Sequence, residues 1–260
     1  MEIVSTKLMG GLGNVLFQIA TAYAVSLRDG KKFICDTREM VIPHKPFSAY
    51  VNNILRKIEF SDKLPQMQHH GERGFEFYPI PKIGGNVKLI GHFQSEKYFS
   101  DYRNEILELF EIDEHTSNRL LKKYGEILNQ DTCSIHVRRG DYVGLPNHHP
   151  TQPIEYYIEA VEKIGKEKHF LIFSDDLNWC KQNFDFIENK TLVSNNSDYE
   201  DLYLMSMCKN NIIANSTFSW WAAWLNKNEN TTVIIPKKWF GPAYASFRTE
   251  DLYCKNWIKL

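Results

Sequence analysis

The sequence has no run of about 18 apolar residues, so no membrane-spanning helix is predicted. Its opening residues, MEIVSTKLMGG, lack the basic stretch followed by an apolar one that marks a signal peptide, and a cytoplasmic protein is expected. Net charge is nearly absent: 31 Lys and Arg stand against 32 Asp and Glu. That excludes bulk attraction to nucleic acid or to an anionic membrane, so any anion must meet a local site. The five cysteines (Cys35, Cys133, Cys180, Cys208, Cys254) are odd in number and contain no C-x-x-C pair, which predicts free, buried thiols in a reducing compartment. Nine histidines include no H-E-x-x-H spacing, and His69-His70 and His148-His149 fall in predicted loops, so no metal site is expected. Internal repeats and low-complexity tracts are missing too. What is present, 260 residues with 43% hydrophobic and 13% aromatic content, suits one or two compact domains.

Strand and helix signals alternate along the chain. Residues 2–8 read as a strand, Gly10, Gly11 and Gly13 as a turn, and Asn14 as the start of a helix that Gly30 stops before the strand KKFIC. Residues 37–85 read as irregular with one short helix at 49–58. A strand at 86–90 and helices around 96–110 and 113–129 follow. In the second half, strands at 132–137, 169–173, 191–193, 211–214 and 231–235 alternate with helices. Pro153 opens one of these helices, and the capping box Ser197-x-x-Glu200 opens another. Five strands separated by helices predict a parallel sheet covered on both faces. The chain is therefore read as α/β, with Rossmann-like domains at 1–130 and 131–260.

Four motifs carry polar groups to predicted strand ends. Gly10-Gly11-Leu12-Gly13-Asn14 lets backbone approach a ligand and points helix N–H groups at an anion; a tight turn with no ligand is the alternative. Gly11 and Gly13 with Asp36 resemble a dinucleotide fingerprint, but Leu16 occupies the third glycine position. His136-Val137-Arg138-Arg139-Gly140-Asp141 ends a strand where an open sheet binds ligands, and an arginine fork suits a pyrophosphate. Positive charge is expected to concentrate at Arg138 and Arg139. Asn215-Ser216-Thr217-Phe218-Ser219 begins a helix with hydroxyls able to cap it and to cradle an anion, while Trp220, Trp221 and Trp224 read as core. Asp175 is assigned a nucleotide contact and Asp176 a cap or surface role.

Together these motifs resemble glycosyltransferase family 11, the α-1,2-fucosyltransferases. GGLGNVLFQIATAYA, IGHFQSEKYF and DLYLMSMCKNNIIANSTFSWWAAWLN are similar to the family's N-terminal, middle and C-terminal motifs, with Val15 where the family usually has glutamine. The resemblance implies a GT-B arrangement, two Rossmann-like domains facing a cleft, with acceptor on the first and GDP-fucose on the second. It implies inverting transfer of fucose to the 2-hydroxyl of a galactoside, with no essential metal or other cofactor. His136 and Asp175 would contact guanine, Arg138 with Arg139 the pyrophosphate, and Ser216, Thr217, Phe218 and Ser219 the phosphates. Gly11, Gly13 and Asn14 would serve the donor from the other domain. Asp141 is the first candidate base and His149 the second.

The alternatives are another GT-B nucleotide-sugar transferase or a sugar-nucleotide binding protein without turnover; an NAD-dependent enzyme is more distant. The expected partners are GDP-fucose and a galactose-terminated oligosaccharide or lipid-linked glycan of O-antigen or capsule type, with no nucleic acid. A lipid-linked acceptor would allow weak peripheral contact with the inner face of the membrane through Lys122-Lys123 or Lys237-Lys238.

Overall fold

The computed structural model describes residues 1–38, 40–41 and 46–260. Residues 39 and 42–45, inside the stretch read as irregular, lie outside the described residues. The chain divides into two compact units, 1–113 with 247–254, and 114–246 with 255–260.

The first unit begins with β1 (Ile3–Thr6) and α1 (Leu12–Asp29). The helix starts at Leu12 rather than Asn14, which draws Gly13 into its buried first turn and leaves Gly11 as N-cap. The strand expected at KKFIC splits into β2 (Lys32–Phe33), paired with β1, and β3 (Cys35–Asp36), which leaves that sheet. A single helical turn, α2 (Ser48–Val51), follows. Then come β4 (Phe60–Ser61), paired with β3, and β5 (Gln68–Gly71). After β6 (Val87–Ile90), the helix expected at 96–110 is two 3-10 turns followed by α3 (Arg103–Leu109), with Phe99, at φ -145 and ψ 1, between the turns. The main sheet has the all-parallel order β2-β1-β6-β5. Val4, Val87 and Leu89 face Ala22 and Val25 of α1 in its core.

The second unit opens with α4 (Glu114–Leu128), so the units divide some 17 residues before the expected break at 130. The cause is side-chain attachment: Arg119 pairs with the buried Glu200, and Lys123 donates to Ser194 O and Asn196 Oδ1 at 2.9 Å each. Next come β7 (Thr132–Val137), α5 (Ile154–Ile164), β8 (His169–Ser174), α6 (Leu177–Asn183) and β9 (Lys190–Leu192). They are followed by α7 (Asp198–Met207), β10 (Asn210–Ile212), α8 (Thr217–Trp224), β11 (Val233–Ile235) and β12 (Ile258–Lys259). The predicted capping box forms, with Glu200 Oε2 accepting from the Ser197 N–H at 2.7 Å.

This sheet is parallel throughout, in the order β12-β11-β10-β7-β8-β9. Numbered within the unit, that is the doubly wound order 3-2-1-4-5-6. Alternation along β7 divides its side chains between the two faces. Cys133, Ile135 and Val137 meet α5 and α6, whereas Ser134 bonds Asn211 beneath α7 and His136 lies against Phe218 of α8. The GT-B type of α/β fold follows from two parallel-sheet units and from the structural likeness reported below. All five cysteines are free and buried. Trp220, Trp221 and Trp224 are core residues, packed ring against ring. Among the described residues, no helix is long and apolar enough to cross a membrane.

Candidate active site

In a doubly wound sheet, ligands bind outside the carboxyl ends of the strands where their order reverses, here between β7 and β10. The chain leaving β7 supplies His136, Arg138, Arg139 and Asp141; the chain leaving β10 supplies Asn215 and the start of α8. Arg138 Nη1 donates to Asp175 Oδ2 at 2.6 Å and Nη2 to Asp141 Oδ1 at 2.5 Å, and its guanidinium lies 5.1 Å from the Tyr142 ring centre. Arg139 donates from its backbone N to Asp175 Oδ1 (2.9 Å) and from Nε to Asp176 Oδ2 (3.1 Å), with its guanidinium over Trp179 at 4.2 Å.

The positive charge expected at the two arginines is there, and it is paired. Two guanidiniums meet three carboxylates here, because β7 and β8 are neighbours and bring 138–141 beside 175–176. Asp176 is both cap and counter-ion: Oδ1 accepts from the Trp179 N–H that starts α6, and that bond, then Arg139, holds its carboxyl below the usual range. Asp175 is the residue that fixes the arginines. A Cβ at Gly140 would sit 2.6 Å from its Oδ2, so the chain passes close to this carboxylate.

His136 is 6% exposed, with its ring 5.5 Å from Phe218 and its Nδ1 buried without a partner. Burial pushes its pKa down to about 4, with Asp175 opposing the shift and Arg138 adding to it. The unfolded chain takes up this proton near the ordinary value of 6.5 and the folded one only near 4, so stability is complete above 6.5 and lost as pH falls between them. Over that interval the wild type is expected to lose about 3 kcal/mol more than His136→Phe, from 1.36 kcal/mol per unit. Urea unfolding at several pH values measures this, and parallel curves for the two proteins would contradict it.

At the start of α8, Ser216 is the N-cap and accepts from the Phe218 N–H at 3.3 Å. Ser219 is fully buried and turns its hydroxyl back to Ser216 O, so Thr217 and Phe218 are the half-exposed members of the four. First-turn N–H groups there have no intrahelical acceptors, which suits an anion. Asn215, just before the cap, ties the neighbouring loops together. Its Nδ2 donates to Pro150 O and Trp239 O at 2.9 Å each, and its carbonyl accepts from Tyr142 OH at 3.3 Å. That bracing, between residues 24 to 73 apart, is invisible in the sequence. His149 is thereby held among Tyr142 (5.0 Å, stacked), Phe240 and Tyr244 (5.7 Å each). Burial keeps its imidazole below the ordinary pKa.

Gly11, Gly13 and Asn14 belong to the first unit. Gly10 has φ +83, which an L side chain rarely adopts, and the turn is clamped by the fully buried Gln18, whose amide bonds both N and O of Met9 at 3.0 Å. Asn14 Oδ1 accepts from Gln94 Nε2 at 3.0 Å. Asp36 is 1% exposed and bonded to Lys88 and Arg38, so it is not presented to a ribose, and the dinucleotide reading falls. Among the described residues no group of three His, Cys, Asp or Glu side chains is arranged to hold a metal.

The family model Glycosyl transferase family 11 matches residues 2–260. The chain is 40% identical to the O-antigen biosynthesis glycosyltransferase WbnK of Escherichia coli, over 97% of this chain and 99% of that one. It is 31% identical to an alpha-1,2-colitosyltransferase of E. coli, over 92% and 93%. In structure it is similar to fucosyltransferase NodZ from Bradyrhizobium, with a TM-score of 0.60 at 15% identity, covering 85% of this chain and 91% of that one. NodZ has also been crystallised with GDP.

Proposed function

Because the chain belongs to glycosyltransferase family 11, we propose that this glycosyltransferase moves L-fucose from GDP-fucose to the 2-hydroxyl of a galactoside, with inversion. The observation that carries the reading is the junction of β7 and β10, where the chain bearing Arg138 and the chain that starts α8 leave neighbouring strands at the switch point of a Rossmann-order sheet. NodZ, similar in fold, binds GDP, and the 31% identical relative transfers its sugar with α-1,2 linkage.

In this reading the diphosphate lies between Arg138 and Thr217–Phe218 of α8, with His136 and Phe218 bordering the base. As the glycosidic bond breaks, negative charge grows on the departing GDP, and the preorganised guanidinium and helix N–H groups stabilise it without a cation. Asp141 and Asp175 hold Arg138 in place, so Asp141, expected as the base, acts as a positioning residue. The acceptor's proton goes to His149, neutral at pH 7, whose ring nitrogens make no hydrogen bond among the described residues. Fucose bonds to the acceptor oxygen as GDP leaves.

Purified protein should turn over GDP-fucose, and retain full activity in EDTA. His149→Gln should lower kcat about a hundredfold and remove the acid limb of the pH profile, with KM for the donor unchanged. Turnover of another nucleotide sugar alone would reject fucose, a strict Mn²⁺ requirement would reject the metal-free mechanism, and an unchanged His149→Gln profile would release His149. A GDP-colitose arm is included because of the alpha-1,2-colitosyltransferase relative. The O-antigen relative makes a lipid-linked glycan the first natural acceptor to try.

A further inference from the structure

The first unit has a switch point of its own. In the order β2-β1-β6-β5, direction of progression reverses between β1 and β6, and the segments leaving those strands are the glycine turn and residues 91–94. The two segments meet through the Gln94–Asn14 bond.

Residues 91–93 are held in an unfavourable shape. Phe93 has φ +51, one of only two non-glycine residues with positive φ among those described. A Cβ at Gly91 would lie 2.4 Å from Glu72 Cβ, so no larger residue fits without displacement. The Glu72 carboxylate accepts the N–H groups of His92 (2.7 Å) and Phe93 (2.8 Å), one on each oxygen, although burial raises its pKa and so disfavours its charged form. Strain of this kind persists only where surrounding structure imposes it, and a partly buried carboxylate used to hold backbone is a costly way to shape a loop. The arrangement fixes His92, whose Nδ1 is buried with no hydrogen-bond partner. A buried polar atom left unsatisfied in a pre-shaped loop calls for an explanation, and a hydroxyl of a bound ligand supplies one.

We infer that His92, with Asn14 and Gln94, forms a binding site for the hydroxyls of the acceptor sugar. A neutral imidazole offers one donor and one acceptor, and burial lowers the His92 pKa, keeping the ring neutral. The Asn14–Gln94 bond leaves Asn14 Nδ2 as a donor and Gln94 Oε1 as an acceptor without a protein partner among the described residues. Neighbouring hydroxyls of a hexopyranoside, each both donor and acceptor, match that set; a phosphate, which only accepts, does not. Glu72 is the positioning residue of this site. The identification of the sugar as a galactoside rests on the proposed transfer reaction.

The test uses the full chain with GDP-fucose as donor and lactose, N-acetyllactosamine and galactosyl-β-1,3-N-acetylgalactosamine as acceptors. His92→Phe, which keeps a ring and removes its nitrogens, should raise the acceptor KM about tenfold or more. The GDP-fucose KM and the acceptor-free hydrolysis of GDP-fucose should stay unchanged. His92→Gln, able to donate and accept, should recover part of the loss. In the wild type, lactose should shift the ¹⁵N resonances of the His92 ring. An unchanged acceptor KM in both variants, or an equal fall in donor hydrolysis, overturns the proposal, as does an absence of any lactose-dependent shift. If no galactoside is fucosylated but lactose still moves the ring nitrogens, the transfer reading fails and the hydroxyl site stands.

Discussion

Arg138→Ala is expected to lower kcat/KM for GDP-fucose by about a thousandfold while the protein stays folded. Removing a single preorganised donor from an oxyanion costs 10²–10³ in rate, and Arg138 takes away a full positive charge along with its donors, which places the loss at the upper end, about 4 kcal/mol. Its fork is already oriented before any ligand arrives, by Asp175 and Asp141 and by the Tyr142 ring, so no binding energy goes into ordering it. The fold should tolerate the change. The Arg138 side chain is 31% exposed and its partners 28% and 46%, and ion pairs this exposed contribute about 1 kcal/mol or less. Arg138→Lys keeps the charge but loses the planar fork that bridges two carboxylates, so it should recover less than a tenth of the activity. Steady-state kinetics with a thermal unfolding control decide the matter. A loss below tenfold in the alanine variant would take Arg138 out of the transition state.

The elements most legible in the sequence are those whose burial makes them uniform. TCSIHV and HFLIF form β7 and β8; HFLIF is an apolar run, TCSIHV alternates apolar with polar residues, and both, set between turn signals, read correctly as parallel strands at the middle of the sheet. β5, QHHG, was hidden because it is an edge strand with mostly exposed polar side chains, and β4 and β12 because two residues carry no period. KKFIC looked like one strand because composition does not reveal that the chain changes partners at Ile34. The candidate site divides the same way. Arg138 and Ser216 could be placed from strand ends, whereas the pairing of Arg138 with a carboxylate 37 residues away depends on β7 lying beside β8. Glu72 and His92 were missed entirely, since Glu72 sits in the stretch read as irregular. The available signals were a glycine directly before His92 at a strand end and the place of His92 inside IGHFQSEKYF.

The largest expected stability effect belongs to the first unit, at Lys88. It sits in the middle of β6, 3% exposed, and its ammonium meets Asp36, 1% exposed, at 3.0 Å. Asp36 also accepts from Arg38, at 2.7 and 2.9 Å from the side chain and 3.0 Å from the backbone, and Arg38 first, with Lys88 after it, holds the Asp36 carboxyl well below the usual range. Lys88→Met keeps the stem and deletes the charge, leaving a buried carboxylate to a single cation whose side chain is 47% exposed. Breaking a buried pair from one side costs about 3–5 kcal/mol, and because Arg38 remains the expectation is about 3 kcal/mol, or roughly 10 °C in Tm for a chain of this size. The sign with pH follows from the depressed carboxyl: Asp36 stabilises the fold above its unfolded pKa near 3.8, and that contribution disappears as pH falls below it. The double variant Lys88→Met with Asp36→Leu should regain much of the loss, since two apolar side chains can replace a buried pair at little net cost. Urea unfolding at pH 7 reads both values. A Lys88→Met change within 1 kcal/mol of wild type would mean that Arg38 alone satisfies Asp36, and a double variant weaker than the single one would mean that Asp36 shapes the start of this unit by more than its charge.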